Sequence, residues 1–272
     1  MDLSDERPWS NKRLKRLGKA LMSGEAPPEG CPHYDDVMIW HNDLAAAVKV
    51  ELQTHEWRVS PPDGFDVTAR SKTRDTLVQK LIREQKRHLT LDEVQDLAGV
   101  RVDADFMLGE QLAFANEVAE HFGERSIVKD IRDAPHSGYR AVHVWLRLPC
   151  GNVEVQIRTL AQSVWANTYE RLGDLLGRTI RYGAIPENET AANVVNRLHV
   201  ISDEIASFEK LEQQAFDLQE WSVGVPADER DEKHEEMEAQ IGVAGRQARE
   251  WKAGYIEQLN ELRRILDGME NP

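Results

Sequence analysis

Cysteine is scarce. Only Cys31 and Cys150 occur in 272 residues, far apart and in no CxxC pair. They indicate no disulfide framework, and no zinc site is expected from them. Long apolar runs are also missing, for no stretch reaches the roughly 18 residues that a membrane span needs. The opening segment, MDLSDERPWS, carries no hydrophobic signal. These absences lead to the expectation of a cytoplasmic protein with reduced thiols and no membrane partner. Positive charge is in deficit as well: the net charge is −14. Such a chain repels nucleic acid on average, so any polyanion it binds must meet a local basic patch. What is present is enough to fold. Apolar residues make up 40% and charged ones 30%, which allows a packed core. The length fits one core domain with helical extensions, or two small domains.

Three segments follow from the pattern. The first, 1–62, is helical: 10–22 is amphipathic through Leu14, Leu17 and Leu21, Gly24 to Pro32 is a loop, and 34–56 is a longer helix. Pro61-Pro62-Asp63-Gly64 closes it as a turn. The second, 63–182, alternates elements: strands at Phe65–Ala69, Ala98–Val102, Ser126–Ile131, Ala141–Leu148 and Asn152–Arg158, and helices at Asp75–Gln85, Met107–Phe122 and Leu160–Leu176. Leu77, Leu81 and Ile82 make the apolar stripe of the first of these helices, and Pro149 to Asn152 joins two strands as a hairpin. The predicted fold class is α/β (α+β), with a mixed, partly antiparallel sheet flanked by helices. The third segment, 187–272, is all helix. Its seams are Val194, Leu198, Ile201, Ile205 and Phe208, then Trp251, Tyr255, Leu259 and Leu262. They suit a helical hairpin or a subunit interface, hence a homo-oligomer.

Lys72, Thr76, Lys80 and Arg83 recur at steps of four, four and three, which places them on one helix face. A cationic face without carboxylates is either a solvated surface or a cradle for a triphosphate. Asp96 precedes a small-residue strand and reads as a turn residue or as a metal ligand at the sheet edge. In Ser137-Gly138-Tyr139-Arg140-Ala141-Val142-His143, Tyr139 could stack a base and His143 could touch a phosphate; both also fit an ordinary strand. Glu154, Gln156 and Arg158 alternate with Val153, Val155 and Ile157, giving one polar and one apolar face. If Glu154 neighbours Asp96, the two carboxylates can hold one Mg²⁺, the usual apparatus of phosphoryl transfer.

In this order the motifs resemble the synthetase domain of the RelA/SpoT family, whose members move pyrophosphate from ATP to a 3′-hydroxyl. The resemblance covers about 64–176 through Arg70 to Arg83, D-L-A-G-V-R from Asp96, G-Y-R-A-V-H from Gly138 and E-V-Q-I-R-T from Glu154. It implies a nucleotidyltransferase-like core and an ATP-dependent pyrophosphokinase with Mg²⁺ as cofactor. Arg70 and Arg101 would sandwich the adenine, while Lys72, Lys80 and Arg83 hold the phosphates. Asp96 and Glu154 would bind the metal, Glu154 also drawing off the proton. Tyr139, His143, Gln156 and Arg158 would receive the acceptor.

The acceptor side departs from the family. Asp133 to Ser137 lacks the lysine that grips the acceptor's diphosphate, Ser163 replaces a usual Asp or Asn, and Tyr169-Glu170 replaces a Glu-His pair. By contrast, 11–20 (NKRLKRLGKA) carries Lys12, Arg13, Lys15, Arg16 and Lys19 and no acid. A basic helix on an acidic chain is either an exposed amphipathic surface or a footprint for a polyanion. Some toxic members of the family modify the 3′-terminal adenosine of tRNA. The favoured expectation is such a toxin, with tRNA as acceptor and an antitoxin as partner. The alternatives are a small alarmone synthetase using GDP or GTP, and an inactive nucleotide- or RNA-binding module. Hydrolase activity is not expected, because none of the nine histidines is followed by the Asp of that metal site.

Overall fold

The computed structural model describes residues 1–61, 64–226 and 230–269. Pro62 and Asp63 of the expected turn lie outside the described residues. Two helices come first, α1 (Asn11–Ser23) and α2 (Tyr34–Thr54). Then follow β1 (Asp66–Ser71), α3 (Arg74–Arg83), β2 (Ala98–Ala104), α4 (Leu108–Phe122), β3 (Ile127–Asp130), β4 (Val142–Leu148) and β5 (Gly151–Thr159). Three helices close the chain: α5 (Leu160–Leu176), α6 (Glu189–Val223) and α7 (Glu232–Asp267). The strands form a five-stranded sheet in the order β1-β2-β5-β4-β3. The architecture is α+β, as the mixture of period-two and helical patterning predicts. No described helix is long and apolar enough to cross a membrane.

By contacts the chain divides into two compact units that interleave in sequence. The first holds Met1–Asp103, Phe114–Lys129 and His143–Ile157; the second holds Ala104–Ala113, Asp130–Val142 and the described residues from Arg158 onward. In the first unit, β1 pairs antiparallel with β2, Arg70 opposite Gly99 and Thr68 opposite Arg101. The two-residue turn Pro149-Cys150 joins β4 to β5, a connection only antiparallel neighbours can use. Alternation then sorts the side chains. Val100, Val102, Val144, Leu146, Val153 and Val155 are fully buried, while Arg101, His143, Trp145, Glu154 and Gln156 line the other, half-exposed face. A separate cluster packs Leu14 and Leu17 of α1 against Leu77 and Leu81 of α3 and Leu91. Gly18 makes that approach feasible, since a Cβ there would lie 2.9 Å from the Cβ of Leu91. Ser10 caps α1 by accepting from the Arg13 amide, and Gly24, at φ 70°, ends it in the left-handed conformation.

The second unit is built on α5, α6 and α7. Trp165, Tyr169 and Leu172 meet Leu198, Ile201, Ile205, Leu259 and Leu266 in one apolar cluster. Polar tips are satisfied inside it: Trp165 Nε1 donates to the Leu198 carbonyl at 2.7 Å, and the Tyr169 hydroxyl to that of Ile180 at 3.0 Å. The C-terminal seams thus serve packing within the chain. The sequence reading put their edges slightly wrong. Val195 is buried while Val194 only flanks the cluster, and Trp251 remains 45% exposed. Likewise Ile82 is 51% exposed and leaves the α3 stripe to Leu77 and Leu81, the two residues of this ten-residue helix that turn to the apolar cluster.

Candidate active site

Asp96 lies in the turn that enters β2, and two lysines converge on it. Lys80 Nζ donates to Oδ1 at 2.7 Å, and Lys72 Nζ donates to Oδ2. Lys80 follows from the packing of α3: its neighbour Leu81 is fully buried against α1, which fixes the helix rotation. Lys72 is not on that helix, contrary to the four-residue spacing. Thr73 caps α3 by accepting from the Thr76 amide, so Lys72 precedes the first turn and reaches Asp96 from the end of β1. Burial raises the proton affinity of Asp96, but the two ammonium groups outweigh it and hold the carboxyl at about 2. The lysine feels the same burial: desolvation lowers the pKa of Lys72 although Asp96 opposes the change.

Glu154 occupies the centre of the polar face. Gln156 Nε2 donates to its Oε2 at 2.8 Å, Trp145 Nε1 to Oε1 at 3.3 Å, and His143 Nδ1 lies 3.3 Å from Oε1. Burial and the charge of Asp96 push this carboxyl up, yet the His143 contact and the Gln156 bond bring it below the usual range. Gln156 also accepts from Arg101 Nε at 3.4 Å, linking β2 to β5. Arg70 and Arg101 belong to one face of the β1–β2 ladder, because Arg70 opposes Gly99 and Thr68 opposes Arg101. Such diagonal neighbours stand about 7–8 Å apart, roughly twice a van der Waals contact of ~3.5 Å. Their side chains thus start from neighbouring points on one face of the sheet. Arg83, at the end of α3, is ion-paired with Glu84 at 3.1 Å.

The first unit therefore brings together Arg70, Lys72, Lys80, Asp96, Arg101, His143, Glu154 and Gln156. Tyr139 and Arg158 belong to the second unit. Tyr139 follows a left-handed turn, Ser137 at φ 50° and Gly138 at φ 81°, and is packed against the Trp165 cluster. Arg158 departs from the expected alternation. It is 1% exposed between buried Ile157 and Thr159, since β5 runs straight into α5, which Thr159 caps.

Sequence reading missed Trp145, although the alternation of AVHVWLRL puts it on the His143 face; Lys129 Nζ stands 5.5 Å from its ring centre. It also missed Lys210 of α6, which donates to Asp133 at 2.6 Å in the loop that has no lysine of its own. The pair is separated by 77 residues, beyond any local spacing rule. At the Glu-His position of the family, Tyr169 is buried structure: its hydroxyl is 2.9 Å from His199 Nε2. On α1 the cations Lys12, Arg13, Lys15, Arg16 and Lys19 are all exposed, with Lys15 only 3.8 Å from Asp92.

The chain is similar to several known proteins. A family model described as a region found in RelA / SpoT proteins matches residues 69–172. An uncharacterized protein of Mycobacterium tuberculosis is 53% identical over 196 residues, which span 72% of this chain and 70% of that one. The GTP pyrophosphokinase YwaC of Bacillus subtilis is 27% identical over 148 residues, 48% of this chain and 68% of its own. Among solved structures, the small alarmone synthetase 1 of Bacillus subtilis aligns with 24% identity and a TM-score of 0.48, covering 69% of this chain and 98% of that one.

Proposed function

Because the chain belongs to the RelA/SpoT family, we propose that it transfers the β,γ-pyrophosphate of ATP to a ribose 3′-hydroxyl, releasing AMP. The observation that carries this reading is the Lys72–Asp96–Lys80 cluster, whose aspartate is within electrostatic reach of Glu154. It offers movable ammonium groups for a polyphosphate and two ionised carboxylates for a hard cation. The donor set fits Mg²⁺: Asp96 and Glu154 supply only oxygens, and each is held below its ordinary carboxyl range. They would hold the ion, which supplies charge neutralisation at the phosphates.

The protein's own residues do the rest. Arg70 and Arg101 clamp the adenine. Lys72 and Lys80 exchange Asp96 for phosphate oxygens, and Arg83 reaches the same anion from the end of α3. The 3′-oxygen attacks the β-phosphorus, the bond from that phosphorus to the α-phosphate oxygen breaks, and AMP departs with that oxygen. Glu154 is poorly suited to keep a proton, because its neighbours stabilise the ionised form. Its main work is to hold the cation and accept the hydroxyl proton only transiently.

For the acceptor, the reading favoured is the 3′-terminal adenosine of tRNA, as in the translation-blocking toxins of the family that an antitoxin restrains. Its support is α1, with five exposed cations on a chain of net charge −14. A second reading, (p)ppGpp synthesis from GDP or GTP, is supported by Lys210, which restores a cation to the lysine-free loop. A competition assay separates them. The chain receives ATP labelled at the γ-phosphate together with deacylated tRNA, GDP and GTP. Label in tRNA that is lost with its terminal adenosine supports the toxin reading; label in guanosine tetra- or pentaphosphate overturns it. Reversing the charge of Lys12, Lys15 and Arg16 is expected to weaken tRNA modification at least tenfold while sparing transfer to GDP. Equal loss of both would remove α1 from the account.

A further inference from the structure

Away from the sheet face, the last turns of α2 and α4 bring three metal-competent side chains together. The donor atoms of Glu51, His55 and His121 all lie within 4.8 Å of one another. Glu51 stands in the final turn of α2 and His55 is its C-cap, four residues on, so both lean to one side of the helix end. His121 comes from the final turn of α4. Its Nε2 is 2.9 Å from Glu51 Oε1. That contact accounts for two of the three groups. It leaves unexplained why a second imidazole is laid against the first, with the His55 and His121 ring centres 4.1 Å apart. Two imidazoles so close can both turn a ring nitrogen to one shared cation.

The surroundings hold the rings in place. Trp57, 9% exposed, presents its edge to His55 at 4.4 Å and to His121 at 5.3 Å, and packs on Phe114 at 5.2 Å. Its indole N–H is fixed on the Leu52 carbonyl at 2.9 Å. A rigid apolar floor beneath two imidazoles is the kind of surrounding shell that fixes ligand orientation in metal centres. The side chains of Glu51 and His121 stay 39% and 26% exposed, so a further coordination position opens to solvent.

We propose that Glu51, His55 and His121 form a binding site for a borderline divalent cation of the Zn²⁺ class, joining the ends of α2 and α4. Two nitrogens and one carboxylate oxygen suit Zn²⁺ with a water completing the tetrahedron, and do not suit Mg²⁺ or Ca²⁺, which take oxygen shells. At Zn–ligand distances of about 2.0–2.1 Å the donors of a tetrahedron stand about 3.4 Å apart. The present separations, 2.9 Å between His121 Nε2 and Glu51 Oε1 and at most 4.8 Å across the set, bracket that value. The two cysteines, which indicate no zinc site, take no part.

The test uses the full chain without an affinity tag, stripped with chelator and kept in millimolar Mg²⁺. Zn²⁺ is titrated while heat is recorded, and Co²⁺ is used in its place to read the visible absorption of a tetrahedral ion. One equivalent of Zn²⁺ at micromolar or tighter affinity is expected, with intense Co²⁺ bands and a raised melting midpoint. His55→Gln and His121→Gln should each weaken binding at least tenfold, whereas His88→Gln should leave it unchanged. Circular dichroism of each variant establishes that the fold is retained. Binding that survives in the His55→Gln/His121→Gln double variant, or the lack of any tetrahedral Co²⁺ spectrum in the parent, overturns the assignment.

Discussion

Asp96 and Glu212 are each held between two cations. In the first unit Asp96 has Lys72 and Lys80, whose side chains keep 18% and 25% exposure. In the second Glu212 of α6 has Lys252 at 2.6 Å and Arg249 at 2.9 Å, both from α7, with the lysine side chain 11% exposed. The composition is alike and the setting is not. Glu212 and Lys252 are closed between two helices that bury each other's seams, so neither can leave. Asp96 receives its lysines from the end of a strand and the side of a short helix, at the rim of an open polar face. The same ion cluster is a fastener in one place and an exchangeable set of partners in the other. Accessibility to a competing anion makes that difference.

Substitutions can break the comparison. The largest effect is expected from Glu154→Gln: AMP formation should fall about 10³-fold, within the range of 10²–10⁴ seen for lost acid–base and charge groups, while the melting curve is unchanged. AMP release at the parental rate would take Glu154 out of the site. Asp96→Asn should lower turnover about 10²-fold with a moderate shift of melting, since the fold favours its charged form. Glu212→Gln should do the reverse, destabilising the fold by about 3–5 kcal/mol, since a buried lysine loses its charge partner, with turnover kept at a temperature where the protein is folded. If the two variants behave alike in both assays, the distinction between fastener and exchange set fails.

The smallest effect concerns pH. Glu209, 4% exposed, accepts from the Thr159 hydroxyl and from Gln162 Nε2 at 3.1 Å, yet burial outweighs both bonds and raises its pKa above 4.5. A raised folded pKa contributes stability that is complete below the unfolded value near 4.5 and is lost as pH climbs through the folded one. Glu209→Gln should therefore gain stability relative to the parent as pH rises from about 4.5 to 7. The difference between the two melting curves checks this, and a constant difference across that window would show Glu209 to be ionised without penalty.

Much of the fold was legible because it rests on local rules. Period-two alternation locates β4 and β5, and it puts Glu154 and Gln156 on one polar face of β5. The helix Leu160–Leu176 was read to the residue, for Thr159 and Gln162 cap it by side-chain chemistry that sequence displays. Legibility ended where contacts are long-range. Nothing in the spacing of Lys72 shows that Thr73 starts the helix after it, nor that an aspartate 24 residues on receives it. Arg158 reads as polar surface by parity, and only the strand-to-helix junction buries it. The role of Trp145 shows only in the fold, where its N–H comes within reach of Glu154. Lys210 could not be paired with Asp133 without knowing how α6 runs.

The two thiols lead differently unequal chemical lives. Cys150 is fully buried, donates to the Leu3 carbonyl at 3.4 Å, and has its pKa raised by burial. Cys31 is half-buried in the loop that follows α1. Thiolate reagents therefore discriminate between them by access and ionisation together. The native chain carries a single-site chemical handle a few residues beyond its basic helix. A fluorophore attached there leaves all the proposed site residues unmodified and reports directly on whatever polyanion that helix meets.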